Sequence, residues 1–220
     1  LNDGLIFMSD TRTNAGFDNV SSFRKMHSWD TPGERSITLV SAGNLATTQA
    51  VVSILDARNK ASEQRVSSLL EVPSMFQAAR VVAQTLHAVI AEHAEDGKPA
   101  DSAFAATMIL GGQIAGGPPR LFLIYPEGNF IEAGPDTPFF QIGEMKYGRP
   151  ILVRAYDPAM GFDAAMKLLL VSFDSTLKAN LTVGPPFDYH LYSADSLKLG
   201  NNGRIEADDP YFQLISHDWG

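Results

Sequence analysis

Gly4-Leu5-Ile6-Phe7-Met8-Ser9-Asp10-Thr11-Arg12-Thr13-Asn14-Ala15-Gly16 runs from a short apolar stretch to an acid, and then at once into polar, turn-rich sequence. Gly4 to Asp10 reads as a buried strand, because a short continuous apolar run bounded by turn residues fits a strand better than a helix. An acid closing such a strand must find a partner or lose its charge. Lys25, on the next extended segment, supplies one. On the residues alone the pair reads either as a structural tie or as part of a reactive site, since shifted acids occur in both settings.

Working outward, Phe17 to Trp29 alternates weakly and predicts a second strand with a loop. Asp30-Thr31-Pro32-Gly33 is a turn. Ser36 to Ala42 (SITLVSA) is a β-branched strand stopped by Gly43. Two helices follow. Asn44 caps the first, which runs through Val51 and Leu55 into the polar 56–65 stretch. Ser74 caps the second, with Met75, Ala79, Val82, Leu86, Val89 and Ile90 at helical spacing and an end near Glu95-Asp96-Gly97. Strands return over Ala103 to Gly111 and Arg120 to Tyr125, and Pro126-Glu127-Gly128-Asn129 turns the chain into Phe130 to Ala133. Phe139 to Gly143 reads as another short strand. Phe162, Met166, Leu169, Leu170, Phe173 and Leu177 form one apolar helical stripe, read as core. Leu181 to Tyr192 looks extended, and Asp208-Asp209-Pro210 starts a short terminal helix. Strand clusters joined by hairpins, with helix pairs between them, predict an α+β chain. Its expected form is a four-layer α-β-β-α sandwich of two antiparallel sheets. No linker divides residues 1–220, which are expected to form a single domain.

Composition narrows the function. The 220 residues are 45% hydrophobic and 19% charged, ordinary globular usage. Lys plus Arg number 17 against 25 for Asp plus Glu, a net charge of -8. So acidic a chain is a poor match for nucleic acid or an anionic membrane, and neither is expected as a partner. Cysteine is absent, which removes disulfides, cysteine-ligated zinc and a cysteine nucleophile from these residues and fits a reducing, cytoplasmic setting. No run of eighteen apolar residues and no signal-type opening is present. The histidines are His27, His87, His93, His190 and His217. His87 and His93 stand six apart, on different helix faces, so the spacing of a helical zinc pair is missing. No metal or other cofactor is expected. No G-x-S-x-G, Walker loop or dinucleotide fingerprint occurs.

Several phrases carry a resemblance. Ser9 to Gly16 resembles the S/A-D-x-R-x-T/N-x-G segment of proteasome β-type subunits. Phe23-Arg24-Lys25-Met26 is similar to the segment holding that family's catalytic lysine, and Ser41-Ala42-Gly43-Asn44 to the turn before its first helix. Gly111-Gly112, followed by Gly117-Pro118-Pro119-Arg120-Leu121-Phe122-Leu123-Ile124-Tyr125-Pro126-Glu127-Gly128, resembles its central hairpin. The wording of SDTRTNAG, FRKMH, SAGNLATTQ, IGEMKYGRPIL and DSTLKAN looks closest to the bacterial Anbu (ancestral β subunit) family.

The resemblance implies an N-terminal nucleophile hydrolase, a threonine peptidase whose first residue attacks with its hydroxyl and uses its own α-amine as base. An α-amine titrates near about 7.7–8.0, so part of it is neutral at cellular pH. Asp10 matches the family's aspartate, Lys25 its lysine, and Gly43 the glycine whose N–H serves the oxyanion. Thr13, Asn14, Ser41 and Leu45 fall where the family lines its substrate cleft. Asp174 and Ser175 supply the types of a later Asp-x-x-Ser pattern, and read equally as polar residues near a helix end. Glu144 stands where many members place a serine, and a carboxylate there would raise the amine's pKa. Leu1 aligns about seven residues past the expected threonine, roughly 23–25 Å of extended strand. The nucleophile is therefore expected upstream of Leu1, or is lacking. The resemblance also implies a homo-oligomer, as a ring or open spiral, acting on peptides or unfolded chains, with any unfoldase partner unknown. An assembly or peptide-binding protein of the same fold, and a small-molecule amidase, are the other readings.

Overall fold

The computed structural model describes residues 1–14, 20–60, 67–93 and 102–219. Strands β1 (Gly4–Asp10), β2 (Arg12–Asn14), β3 (Val20–Ser22), β4 (Met26–Thr31) and β5 (Arg35–Gly43) come first. Helices α1 (Leu45–Lys60) and α2 (Met75–Ala91) follow, then β6 (Ala106–Ile114), β7 (Arg120–Ile124) and β8 (Phe130–Glu132). The chain closes with α3 (Arg149–Ala155), α4 (Phe162–Leu177), β9 (Phe187–Ser193), β10 (Asn201–Ile205) and α5 (Pro210–Trp219). These elements fall into two compact units. The first holds Leu1–Met26, Glu144–Ala194 and Gly200–Gly220; the second holds His27–Gly143 and Asp195–Leu199.

In the first unit, β1, β9 and β10 form an antiparallel sheet in that order, and β2 pairs with β3 as a separate hairpin. The β1–β9 register sets Gly4 opposite Ser193 and Asp10 opposite Phe187. Phe187 anchors the core beneath. Its ring lies 4.9 Å from Phe173 of α4 and 5.3 Å from Phe212 of α5, centroid to centroid. Leu170, Val171 and Ile215 complete the buried cluster, with Met8 and Ile205 packed against it. Of the predicted apolar stripe of α4, Leu170 is buried in this core and Met166, Phe173 and Leu177 pack against it. Asp209 caps α5, its carboxylate accepting from the backbone N–H of Tyr211 (2.9 Å) and Phe212 (3.0 Å).

The second unit is built on a five-stranded antiparallel sheet, β4-β5-β6-β7-β8. Its centre is the nine-residue ladder between β5 and β6, Arg35 opposite Ile114 through Gly43 opposite Ala106. Ile37, Leu39, Met108, Leu110, Phe122 and Ile124 turn one face of the sheet toward α1 and α2, meeting Val51, Leu55, Met75, Val82, Leu86 and Val89. Asn44 and Ser74 cap the two helices through Thr47 N–H (2.9 Å) and Gln77 N–H (3.3 Å). The Arg35 guanidinium is buried and donates to the carbonyls of Leu69 (3.1 Å) and Val72 (2.9 Å), pinning the chain before α2. Burial holds its pKa below the ordinary arginine value.

Three local features differ from the sequence reading. Phe139 to Gly143 is not a strand: the apolar run imitates one, but the chain there is irregular after the Gly134–Thr137 bridge and reaches Gly143 at φ +76. β10 was hidden, because Asn201-Asn202-Gly203-Arg204 reads as turn sequence. It forms where β9 offers an open ladder, and Arg204 pairs with Asp188 through two bonds of 2.7 and 2.9 Å. α3 is short, with proline in its first turn, and no periodic pattern marks it. α1 is described as far as Lys60, and α2 runs to Ala91. Residues 61–65 and 95–97, where the pattern carries these helices onward, lie outside the described residues.

Candidate active site

β1 ends on Asp10, and the chain then turns back through the β2–β3 hairpin. Arg12 pairs with Ser22, and Phe23 N–H donates to Thr11 O at 2.8 Å, so the hairpin register continues toward Asp10. Lys25 therefore returns to the strand end it left fifteen positions earlier. Its Nζ donates to Asp10 Oδ1 at 2.7 Å, with side-chain exposures of 19% for the lysine and 12% for the aspartate. Burial pushes the Asp10 carboxyl above the ordinary aspartate range. The Lys25 ammonium opposes that shift by charge and by hydrogen bond, and the backbone N–H groups of Gly184 and Arg12 oppose it further. The pair is thus a largely desolvated ammonium–carboxylate couple whose charge depends on its partners.

A second cluster joins it through residues 180–184. Glu144 Oε1 accepts from Lys146 N–H (2.7 Å), and Oε2 accepts from the Asn180 amide (2.8 Å). These bonds hold the Glu144 carboxyl below its ordinary range, the Lys146 N–H contributing most. Asn180 Oδ1 in turn accepts from both the N–H (2.9 Å) and the hydroxyl (2.7 Å) of Thr182. Two residues on, Gly184 reaches Asp10. Five consecutive residues thus run from the partner of Glu144 to a partner of Asp10. Asn180 and Thr182 escaped the sequence reading. The only signal was a polar Asn180-Leu181-Thr182 break between helix and strand, and loop polarity is not specific.

The other sequence-derived residues fall as follows. Thr13 is on β2, half-buried, opposite Ser21. Asn14 pairs its backbone with Val20, and its side chain lies outside the described residues. Asp174 and Ser175 sit within α4 and bond toward α5. Asp174 is fully buried with the Lys178 ammonium at 3.1 Å, Lys178 also donates to Ser216 O (3.1 Å), and Ser175 Oγ accepts from the Trp219 indole (2.8 Å). None of these partners belongs to the Asp10 or Glu144 clusters.

Ser41, Gly43 and Leu45 belong to the second unit. Ser41 is buried near the end of β5, and Leu45 begins α1, half-buried. Gly43 closes β5 at φ +113, and a Cβ there would stand 2.5 Å from Ala105 O, so only glycine fits. Its N–H direction follows from the ladder. Asn44 N–H bonds Ala105 O (3.0 Å), and at the far end Ala115 N–H bonds Glu34 O (2.7 Å). Bonded and non-bonded pairs alternate along an antiparallel ladder. The Gly43–Ala106 pair is therefore non-bonded, and the Gly43 N–H points away from β6. Among the described residues no group of three or more histidines and acids could hold a metal ion, and no helix is long and apolar enough to cross a membrane.

A family model described as proteasome subunit matches residues 1–184. Over its whole length the chain overlays a solved structure titled Anbu (ancestral beta-subunit) from Yersinia bercovieri, at 48% identity and TM-score 0.92, spanning 91% of that chain. It also overlays an Anbu (Gly-1) mutant from Hyphomicrobium sp. strain MC1, at 49% identity and TM-score 0.91, spanning 90% of that chain. A third match is titled helical assembly of the Anbu complex from Pseudomonas aeruginosa, at 47% identity and TM-score 0.92, with 89% of that chain spanned. The full-length overlap shows the α+β fold class expected from the sequence. No curated protein matches in the sequence comparison.

Proposed function

The chain belongs to the proteasome subunit family, and within it to the Anbu (ancestral beta-subunit) group, and on that premise we propose that it is a threonine-type peptidase working as a self-assembled particle. The nucleophile in this reading is the hydroxyl of a threonine N-terminal to Leu1, with the α-amine of that residue as base. The observation that carries the reading is the desolvated Lys25–Asp10 couple, 2.7 Å apart at the end of β1. The hydroxyl oxygen adds to the peptide carbonyl carbon while its proton passes to the α-amine. Lys25, kept as an ammonium by Asp10, stabilises the oxygen as the proton leaves. The carbonyl oxygen becomes the oxyanion of the tetrahedral intermediate. Collapse breaks the C–N bond, the leaving amine takes the proton from the α-ammonium, and an ester remains. Water then cleaves that ester along the same path and restores the hydroxyl.

Peptides and unfolded chains are the substrate class. The Pseudomonas aeruginosa relative is described as a helical assembly, and this reading extends self-association to the present chain. A heterologous contact that fails to close produces an open spiral rather than a ring. Glu144 favours one alternative, an assembly that binds peptides with little turnover, because a charged carboxylate near the α-amine would keep it protonated. Intact-mass and N-terminal sequencing of the purified mature protein, followed by labelling with a peptide epoxyketone, decides between them, since that electrophile needs both hydroxyl and free amine. A terminal threonine that labels supports the peptidase. A terminal threonine that does not label supports the binding protein, and any other terminal residue sinks the peptidase. Lys25→Ala is expected to abolish labelling while leaving assembly intact by light scattering.

A further inference from the structure

We propose that the Arg12 guanidinium is a positioning group for the Asp10–Lys25 couple, acting by clamping residues 181–184 so that the Gly184 N–H stays on Asp10. Arg12 opens β2 two residues beyond Asp10, and its side chain reaches across to the segment after α4. Nη1 donates to Leu181 O at 3.0 Å and lies 3.5 Å from Val183 O. These carbonyls stand two residues apart on one side of the segment. The residue between them, Thr182, donates its N–H and hydroxyl to Asn180 Oδ1. Three consecutive residues are therefore tied down. Gly184 is buried, and its backbone lies against the guanidinium: a Cβ at that position would overlap Arg12 Cζ, Nη2 and Nε. No left-handed φ occurs there, so glycine serves close approach and not an unusual backbone shape. Just beyond, Thr11 Oγ1 donates to Pro186 O at 2.9 Å and secures the far end.

The side chain of Arg12 acts through the loop and not through its own charge. What favours the Asp10 carboxylate, besides Lys25, is the main-chain N–H of Gly184 and of Arg12 itself. A planar guanidinium suits this task, because it lies flat against the Gly184 backbone while Nη1 reaches the carbonyls, a packing that a compact ammonium does not offer. Release of the loop would withdraw one charge-assisted hydrogen bond from a carboxylate that burial already disfavours.

The test is the titration of the Asp10 carboxyl, followed by carbon NMR on the full-length protein with labelled aspartate, in wild type, Arg12→Met, Arg12→Lys and Gly184→Ala. The expected result is an upward move of the Asp10 titration in Arg12→Met and Gly184→Ala, with Arg12→Lys in between. Epoxyketone labelling near neutral pH should slow about tenfold in the first two, the scale of one hydrogen bond to a charged group. A loss of packing alone would admit water and move the Asp10 midpoint down, not up. An unmoved or lowered midpoint in both Arg12→Met and Gly184→Ala overturns the proposal. Should Arg12→Met fail to fold, Gly184→Ala and Arg12→Lys decide in the same way. The rate readout rests on the peptidase reading and the titration does not, so a wild type that never labels defeats that reading alone.

Discussion

Asp10 is a carboxyl that holds its proton more tightly in the folded chain than in the unfolded one, where its ordinary value is 3.8. Between that value and its raised folded value the native state carries more protons than the unfolded state. Stability contributed by this residue therefore falls as pH rises through that window, and the deficit persists above it. Asn at position 10 cannot ionise and lacks this slope. Asp10→Asn should gain stability relative to wild type as pH rises from about 3.8 toward neutral, measured by urea midpoints at several pH values. A wild-type-minus-variant difference that runs the other way would contradict the burial argument. At this scale the sequence was informative where residues are contiguous: Ser9 to Gly16 and Phe23 to Met26 carried Asp10 and Lys25 through resemblance, and the structure joins the two. Asn180 and Thr182 were illegible, since their arrangement comes from a hydrogen-bond chain to Glu144 that no spacing encodes.

Helix α5 shows how an element depends on one side chain. It spans ten residues, short enough that helix formation alone is marginal in water, and it leans on packing and on its cap. Asp209 satisfies two of its first N–H groups, and Pro210 occupies the position where the missing N–H is harmless. Asp209→Ala should cost about 1 kcal/mol, read as a lowered urea midpoint with unchanged slope. Elements with a buried stripe were readable before folding. α2 and α4 appear where helical spacing places them, because one face of each is core. Elements lacking such a face were not. β10 owes its existence to the edge of β9 and to Arg204, and the Phe139–Gly143 run shows the converse, apolar sequence with no ladder to join.

For the whole chain, the net charge of -8 acts between copies. Like-charged subunits repel over about 8–10 Å at physiological ionic strength, and added salt shortens that reach. Self-association should therefore strengthen as sodium chloride rises from low to moderate concentration, seen as a larger mass in light scattering. Dissociation by salt over that range would mean that specific ion pairs dominate the contact. The fold class and the strand–hairpin order were visible in sequence through repeated turn signals, while the division of elements between the two units was not, because the first unit draws its residues from three separated stretches.

The register of β1 has a temporal consequence. Gly4 to Asp10 emerges from the ribosome well before the strand it must zip to, Phe187–Ser193. At elongation speeds of about 5–20 residues per second, the opening strand waits roughly ten to forty seconds for its mate. Asp10 rides on that strand, so its place in the sheet is set only late in synthesis, and a message truncated before the Phe187 codon would leave it without its ladder.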